Sequence, residues 1–265
     1  MSSKVFDSYS EYYDLLYRDK DYDAETNYVD SLIKSFHNNA ISVLELGSGT
    51  GLHASLLAQL GYNVVGIDQS KTMLNKAEAR KKYLQKSIAD NLSFHQGDIR
   101  SYKSDEKFDV AISLFHVMSY METNADLINA IKTANNHLKK DGLFIFDCWH
   151  GPAVLHDKPI SRTKNFENEN ISVVRKSTPE LFPEKNIVNV NFDITIKNKI
   201  SKEEITLQET HKMRYLFTEK LNDLLTENGL EIIYMEEWMT KQPLSQNTWN
   251  ACYICKKRIN KFFFI

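Results

Sequence analysis

From residue 41 to residue 146 of this 265-residue chain, short apolar runs alternate with longer amphipathic segments. Residues 41–46, 63–67, 92–96, 108–114 and 142–146 read as buried strands, the last after the turn Lys140-Asp141-Gly142. Residues 52–60 read as a helix stopped by Gly61, a residue favoured just past a helix end. Ser70 caps a helix expected to run to about residue 86, and residues 124–138 have helical spacing. Strands alternating with helices predict an α/β domain, a mostly parallel sheet with helices on both faces. Ahead of it, residues 12–17 are aromatic-rich and 22–36 have helical spacing, so residues 1–40 are expected to form a helical cover. After residue 149 the period changes. Residues 151–170 look irregular, whereas 171–176, 186–197 and 204–216 alternate with period two and predict an inserted antiparallel β-sheet. Residues 218–228 return to helix, and 231–238 and 249–257 read as a closing antiparallel pair. The expected organisation is a cover over 1–40, an α/β domain over 41–150 and 217–259, and an inserted sheet over 151–216 that serves as substrate cover or dimer surface.

Composition is that of a globular protein, 42% hydrophobic and 26% charged with a formal net charge of -2. No strongly basic face is implied, so no nucleic-acid partner is expected. Lys76, Lys81, Lys82 and Lys86 lie among acids at helical spacing and read as a solvated face. No apolar run approaches a membrane span, and residues 1–7 lack the apolar core of a signal peptide. Three cysteines, few and odd in number, fit a reducing cytoplasm, which is the expected location. Cys252 and Cys255 stand three apart on an expected strand and point to opposite faces, so they read as core thiols, not as a metal or redox pair.

Chemistry concentrates at the carboxyl ends of the first three strands. Gly47, Gly49 and Gly51 fill the turn into the first helix, where glycine lets a ligand approach the backbone and the helix N-terminus adds partial positive charge. A dinucleotide loop, G-x-G-x-x-G, places its third glycine farther on to enclose a pyrophosphate. Here Leu52 follows Gly51, and the tighter spacing suits a ligand without pyrophosphate, such as S-adenosylmethionine. Asp68, in Gly66-Ile67-Asp68-Gln69-Ser70, can accept both ribose hydroxyls; Asp98, in Gln96-Gly97-Asp98-Ile99, can accept from an adenine amino group. Each feature alone is often structural. Together, at the edge where open α/β sheets bind ligands, they describe an adenosine site.

Glu45-Leu46-Gly47-Ser48-Gly49-Thr50-Gly51 resembles the first motif of the class I S-adenosylmethionine-dependent methyltransferases, Asp68 their ribose-binding acid and Asp98-Ile99 their adenine contact. The resemblance covers about residues 40–150 plus the last helix and two strands. It implies a Rossmann-like seven-stranded sheet ending in a reversed strand. It also implies S-adenosylmethionine as donor and S-adenosylhomocysteine as product. Glu45, Gly47, Ser48, Gly49, Gly51, Asp68, Gln69, Met73, Asp98, Ile99 and Leu114 would surround the donor, with His53 or Tyr22 near its methionine carboxylate.

The acceptor is approached by elimination. The stretch Ser113-Leu114-Phe115-His116-Val117-Met118-Ser119-Tyr120 lacks the Asn/Asp-Pro-Pro-aromatic motif of amino-group DNA methyltransferases. No Pro-Cys nucleophile occurs, and no acid cluster suggests a metal, so a small molecule is the default. Tyr12-Tyr13-Asp14-Leu15-Leu16-Tyr17, Lys20-Asp21-Tyr22, Asp147-Cys148-Trp149 and Glu209-Thr210-His211-Lys212-Met213-Arg214 are similar to N-methyltransferases of nucleotide-linked amino sugars. That family implies a dTDP-linked amino sugar as substrate and a homodimer as a candidate assembly. This sequence departs from it at Gly47, where some members have Ala, and at Asp147, where Glu is found.

The donor's methyl is already activated, so in-line alignment of an amine lone pair is the main requirement. Tyr13, Tyr120 and His116 are candidates for holding the amine and moving its proton. Tyr17, Asp147, Trp149, His211 and Arg214 are candidate substrate contacts, Trp149 by stacking and Arg214 by pairing with a diphosphate. The same residues could act as packing aromatics, a satisfied buried His or a surface-paired Arg. Methylation of a sugar or metabolite hydroxyl is the alternative, and a non-catalytic nucleotide-binding protein the rival from another class. The loop spacing speaks against a nicotinamide-dependent reductase.

Overall fold

The computed structural model describes residues 15–18 and 20–258. β1 (Ser42–Leu46), β2 (Asn63–Asp68), β3 (Leu92–Gln96), β4 (Phe108–Ser113) and β5 (Leu138–Trp149) pair in parallel. β10 (Leu230–Glu237) and β11 (Asn250–Lys257) complete a seven-stranded sheet in the order β10-β11-β5-β4-β1-β2-β3. β11 runs antiparallel to both of its neighbours. The reversed strand therefore lies inside the sheet, with β10 on the edge.

Alternation along the strands builds two cores. Leu44, Leu46, Ala111, Phe144 and Phe146 face one side with α5 (Asn124–His137) and α7 (Thr218–Glu227). Val43, Val110, Ile112, Leu143 and Ile145 face the other with α1 (Tyr22–Phe36) and α2 (Leu52–Gln59). Cys252 belongs to the second core and Cys255 to the first, as residues three apart on a strand must. All three cysteines are free and buried. Thr123 and Asp126 form a capping box that fixes the start of α5. Leu225, fully buried on α7, illustrates the energetics: truncation to Ala would cost about 2–5 kcal/mol through lost burial and a cavity.

The helix expected to reach residue 86 stops earlier. α3 (Lys71–Lys81) buries only Met73, Leu74 and Ala77, so its last turn has no apolar face to hold it. A turn follows, then a short α4 (Lys86–Ala89). Residues 151–170, expected to be irregular, contain α6 (Gly151–His156) and β6 (Arg162–Glu167). β6 is almost wholly exposed, so backbone pairing and not hydrophobic pattern defines it.

β6 joins β7 (Ile171–Phe182), β8 (Ile187–Asn198) and β9 (Glu204–Arg214) in a four-stranded antiparallel sheet. β7 extends past residue 176, through Pro179. β6 pairs with it only as far as Ser177, so beyond that point β7 is an edge strand and a missing N–H is tolerated. This sheet packs Val173 and Ile194 against Leu16 and against Met73 of α3. It thereby covers the carboxyl edge of the main sheet.

Candidate active site

The chain leaves β1 for β2 on one side while β4 lies on the other, and ligands of open α/β sheets settle in the crevice at such a reversal. A cavity of about 640 Å³ opens there. Gly47, Gly49 and Gly51 all take positive φ. A Cβ at Gly47 would lie 2.7 Å from Val117, and one at Gly51 would lie 2.5 Å from Phe94, so both positions require glycine by conformation and by space. A Cβ at Gly49 would meet nothing within 4 Å. Asp68 reaches across to the loop, accepting from Gly49 N at 2.9 Å and from Ser70 N at 2.8 Å. Burial raises its carboxyl, and these backbone donors oppose the rise.

Glu45, Ser48, Asp68, Met73 and Leu114 line the cavity beside this loop, with Tyr22 and His53 above. Glu45 is 2% exposed, and burial, followed by the charge on Asp68, pushes its carboxyl up to about 8. His53 lies 2.8 Å from Glu25 and 3.9 Å from Glu45, and burial lowers its imidazole. Lys20 pairs with Glu25 at 2.7 Å, and its ammonium lies 4.4 Å from the Tyr22 ring centroid and 3.7 Å from that of Phe115. Among the described residues, Glu45 Oε2 and Ser48 Oγ are buried without a hydrogen-bond partner. Orphaned acceptors beside an open glycine fit a ligand that carries amino and hydroxyl groups.

The opposite wall follows β4. Phe115 and His116 both take left-handed backbone conformations, each strained by about 1–3 kcal/mol for a non-glycine residue. The bend brings Phe115 onto Lys20 and sets His116 Nδ1 2.8 Å from Asp147 Oδ2 without hydrogen-bond geometry, while that carboxylate accepts from His116 N at 3.1 Å. Tyr120 closes the 3₁₀ turn Val117–Tyr120, with its hydroxyl 2.7 Å from His211 Nδ1. Tyr17 stands edge-on to Phe115, and Trp149 meets Trp249 edge-on at 5.8 Å. The inserted sheet and the segment before it add Lys158, Arg162, Lys164 and Arg175 to the cavity lining. Arg175 is 9% exposed and stacks on Tyr17, Phe166 and Phe192.

Sequence candidates divide accordingly. Tyr17, Tyr22, Glu45, Gly47, Ser48, Gly49, His53, Asp68, Met73, Leu114, His116, Tyr120, Trp149 and His211 share the cavity wall. Gly51 packs behind the loop against Phe94, and Asp147 acts on the wall through His116. Gln69 and Ile99 lie off the cavity lining, Ile99 within the first core. Asp98 is also off the lining. Arg100 grips its carboxylate, with Nη2 at 2.6 Å, and holds the acid well ionised. Arg214 does not reach the cavity. Its Nη2 donates to Asn124 at 2.5 Å, and burial lowers its pKa. Tyr13 lies outside the described residues. Sequence reasoning missed Lys20, Glu25, Phe115, Arg175 and Glu209. The Lys20-Asp21-Tyr22 motif was a usable signal for the first of these, and period-two alternation put Glu209 on the face of His211, whereas nothing in the sequence set the face of Arg175 toward the cavity. Among the described residues no group of three His, Cys, Asp or Glu is arranged to hold a metal ion. No described helix is long and apolar enough to cross a membrane.

Residues 43–142 match the family described as Methyltransferase domain. A dTDP-3-amino-3,4,6-trideoxy-alpha-D-glucopyranose N,N-dimethyltransferase of Streptomyces venezuelae is 29% identical over 155 residues, which span 58% of this chain and 62% of that relative, less than two thirds of its length. An uncharacterized methyltransferase of Bacillus pumilus is 30% identical over 164 residues, 60% of this chain and 73% of the relative. In fold, the chain is similar to an S-adenosylmethionine-dependent methyltransferase of Clostridium acetobutylicum, with TM-score 0.77, 21% identity and coverage of 96% and 99% of the two chains.

Proposed function

The chain belongs to the S-adenosylmethionine-dependent methyltransferases, and from that premise we propose that it methylates the amino group of a nucleotide-linked amino sugar. One observation carries the choice of acceptor. A single cavity is lined both by the glycine loop and Asp68 and by Lys158, Arg162, Lys164 and Arg175. Guanidinium and ammonium groups on that lining suit a diphosphate. Trp149 and Trp249, on the same lining, offer faces for a sugar or base. The Streptomyces relative, by its name, acts on a dTDP-linked amino sugar.

Asp68, Glu45, Ser48 and the Gly49 backbone would hold the donor, which supplies a sulfonium-activated methyl group. This chain's residues align the acceptor, exclude water beneath the inserted sheet and take up a proton. We assign that sheet as the substrate cover. We assign Tyr120 the role of holding the amine. The reading is tested by incubating purified protein with S-adenosylmethionine and a panel of dTDP-linked amino sugars. S-adenosylhomocysteine should form only when an amino sugar is present, and no turnover across the panel would overturn the acceptor. The His116–Asp147 contact favours a second reading, methylation of a hydroxyl, which needs a stronger base. In that case His116→Ala abolishes activity.

A further inference from the structure

We propose that His211 and Glu209, contributed by the inserted sheet, form a proton relay behind Tyr120, with Glu209 as the positioning residue that fixes the tautomer of His211. The proposal rests on the amine-acceptor reading and concerns how the amine loses its proton.

The geometry is a chain of three. Tyr120 Oη lies 2.7 Å from His211 Nδ1, and His211 Nε2 lies 3.3 Å from Glu209 Oε2. His211 and Glu209 are two apart on β9, so both project from the same face. They are 5% and 7% exposed, whereas their neighbours Thr210 and Lys212 face outward. A carboxylate so buried is costly without a partner to receive. With Glu209 accepting from Nε2–H, Nδ1 is left as the acceptor for the Tyr120 hydroxyl. Tyr120 and His211 both line the cavity, so the phenol oxygen can accept from an amine bound there.

Proton and electron accounting is complete. The bound ammonium first passes one proton to Tyr120 Oη while the Tyr120 proton passes to His211 Nδ1. The freed lone pair then attacks the methyl carbon, and as the N–C bond forms the C–S bond breaks with its electron pair remaining on sulfur. The resulting imidazolium is stabilised by Glu209 and later releases its proton to water. Burial first, then Tyr17 and Glu209, raise the Tyr120 phenol well above its ordinary range. A free-standing phenolate is thus disfavoured, and the phenol exchanges protons instead of losing one. Among the described residues, the other charged groups nearby are Arg175, stacked on the Phe192 ring that meets His211 edge-on, and the Lys212–Glu122 pair at 3.4 Å on the outward side. The relay also explains why the inserted sheet matters to the chemistry: Tyr120 comes from the main domain, and its proton acceptor comes from the insert.

The test uses the full chain, S-adenosylmethionine and an amino sugar that the wild type methylates. Tyr120→Phe, His211→Asn, Glu209→Gln and Tyr120→Phe/Glu209→Gln are compared for kcat and KM from about pH 6.5 to about pH 9. Glu209→Gln should lower kcat at least about tenfold at the acid end, with KM and unfolding temperature close to wild type. The deficit should shrink as rising pH deprotonates the amine in solution. The double variant should be no slower than Tyr120→Phe alone, since members of one relay do not add. A Glu209→Gln enzyme with wild-type kcat at low pH, or a deficit constant across the range, overturns the relay while leaving the acceptor assignment intact. A wild type that methylates no amine overturns the acceptor assignment, and the relay with it.

Discussion

Replacing Glu45 with Gln should remove the part of the pH-dependent stability that this carboxyl contributes. Glu45 forms the floor of the cofactor end of the cavity, and its carboxyl is pushed up to about 8 from an ordinary value of 4.5. Between those values the folded chain keeps a proton that the unfolded chain releases. Stability is therefore fully present below the lower value and is lost as pH rises through the upper one. Each pH unit in that window costs about 1.4 kcal/mol. From about pH 5.5 to about pH 8.5 the cost grows by about 3 kcal/mol. Glu45→Gln keeps the shape and cannot ionise, so its advantage over wild type should widen by that amount, or roughly 10 °C in unfolding midpoint for a chain of this size. Thermal unfolding of both proteins across that range measures it. Saturating S-adenosylmethionine should flatten the wild-type curve, because a donor placed on Glu45 favours its charged form. Parallel curves for wild type and variant would refute the reasoning.

Other outcomes follow from the same geometry. Asp68→Asn removes the carboxylate that organises the loop and faces the cavity, so donor affinity measured by calorimetry should fall about 10- to 100-fold. Arg175→Met keeps the stacking bulk but not the charge, and should raise KM for a nucleotide-linked acceptor about tenfold without changing donor affinity. Cys148, Cys252 and Cys255 are buried with thiols raised by burial, so a thiol-titrating reagent should modify them only after unfolding.

The α/β core was legible because buried parallel strands and amphipathic helices write strong patterns, as in the apolar run of β4 and the Ser70-capped start of α3. The glycine turn and Asp68 were legible because their positions at strand ends follow from that pattern. β6 was not, since its exposed edge residues are ordered by backbone pairing that no hydrophobic period records. Arg214 and Arg175 show the limit for sites. Both are arginines on strands of the insert, and only the packing of that sheet reveals that Arg175 lines the cavity while Arg214 turns to Asn124. Asp98 has a local partner that strand-end logic did not foresee: Arg100, two residues away, pairs with the carboxylate read as an adenine contact. Glu209 stood within a motif, but its place beside Tyr120 depends on a contact between His211 of β9 and a turn 91 residues away in sequence.

Following an isotope-labelled methyl group from S-adenosylmethionine onto a dTDP-linked amino sugar, by nuclear magnetic resonance and mass spectrometry of the product, tests the assignment most directly. The label should appear on the sugar nitrogen, and only with protein present. A label on oxygen, or no transfer to any amino sugar by a protein that binds the donor, would contradict it.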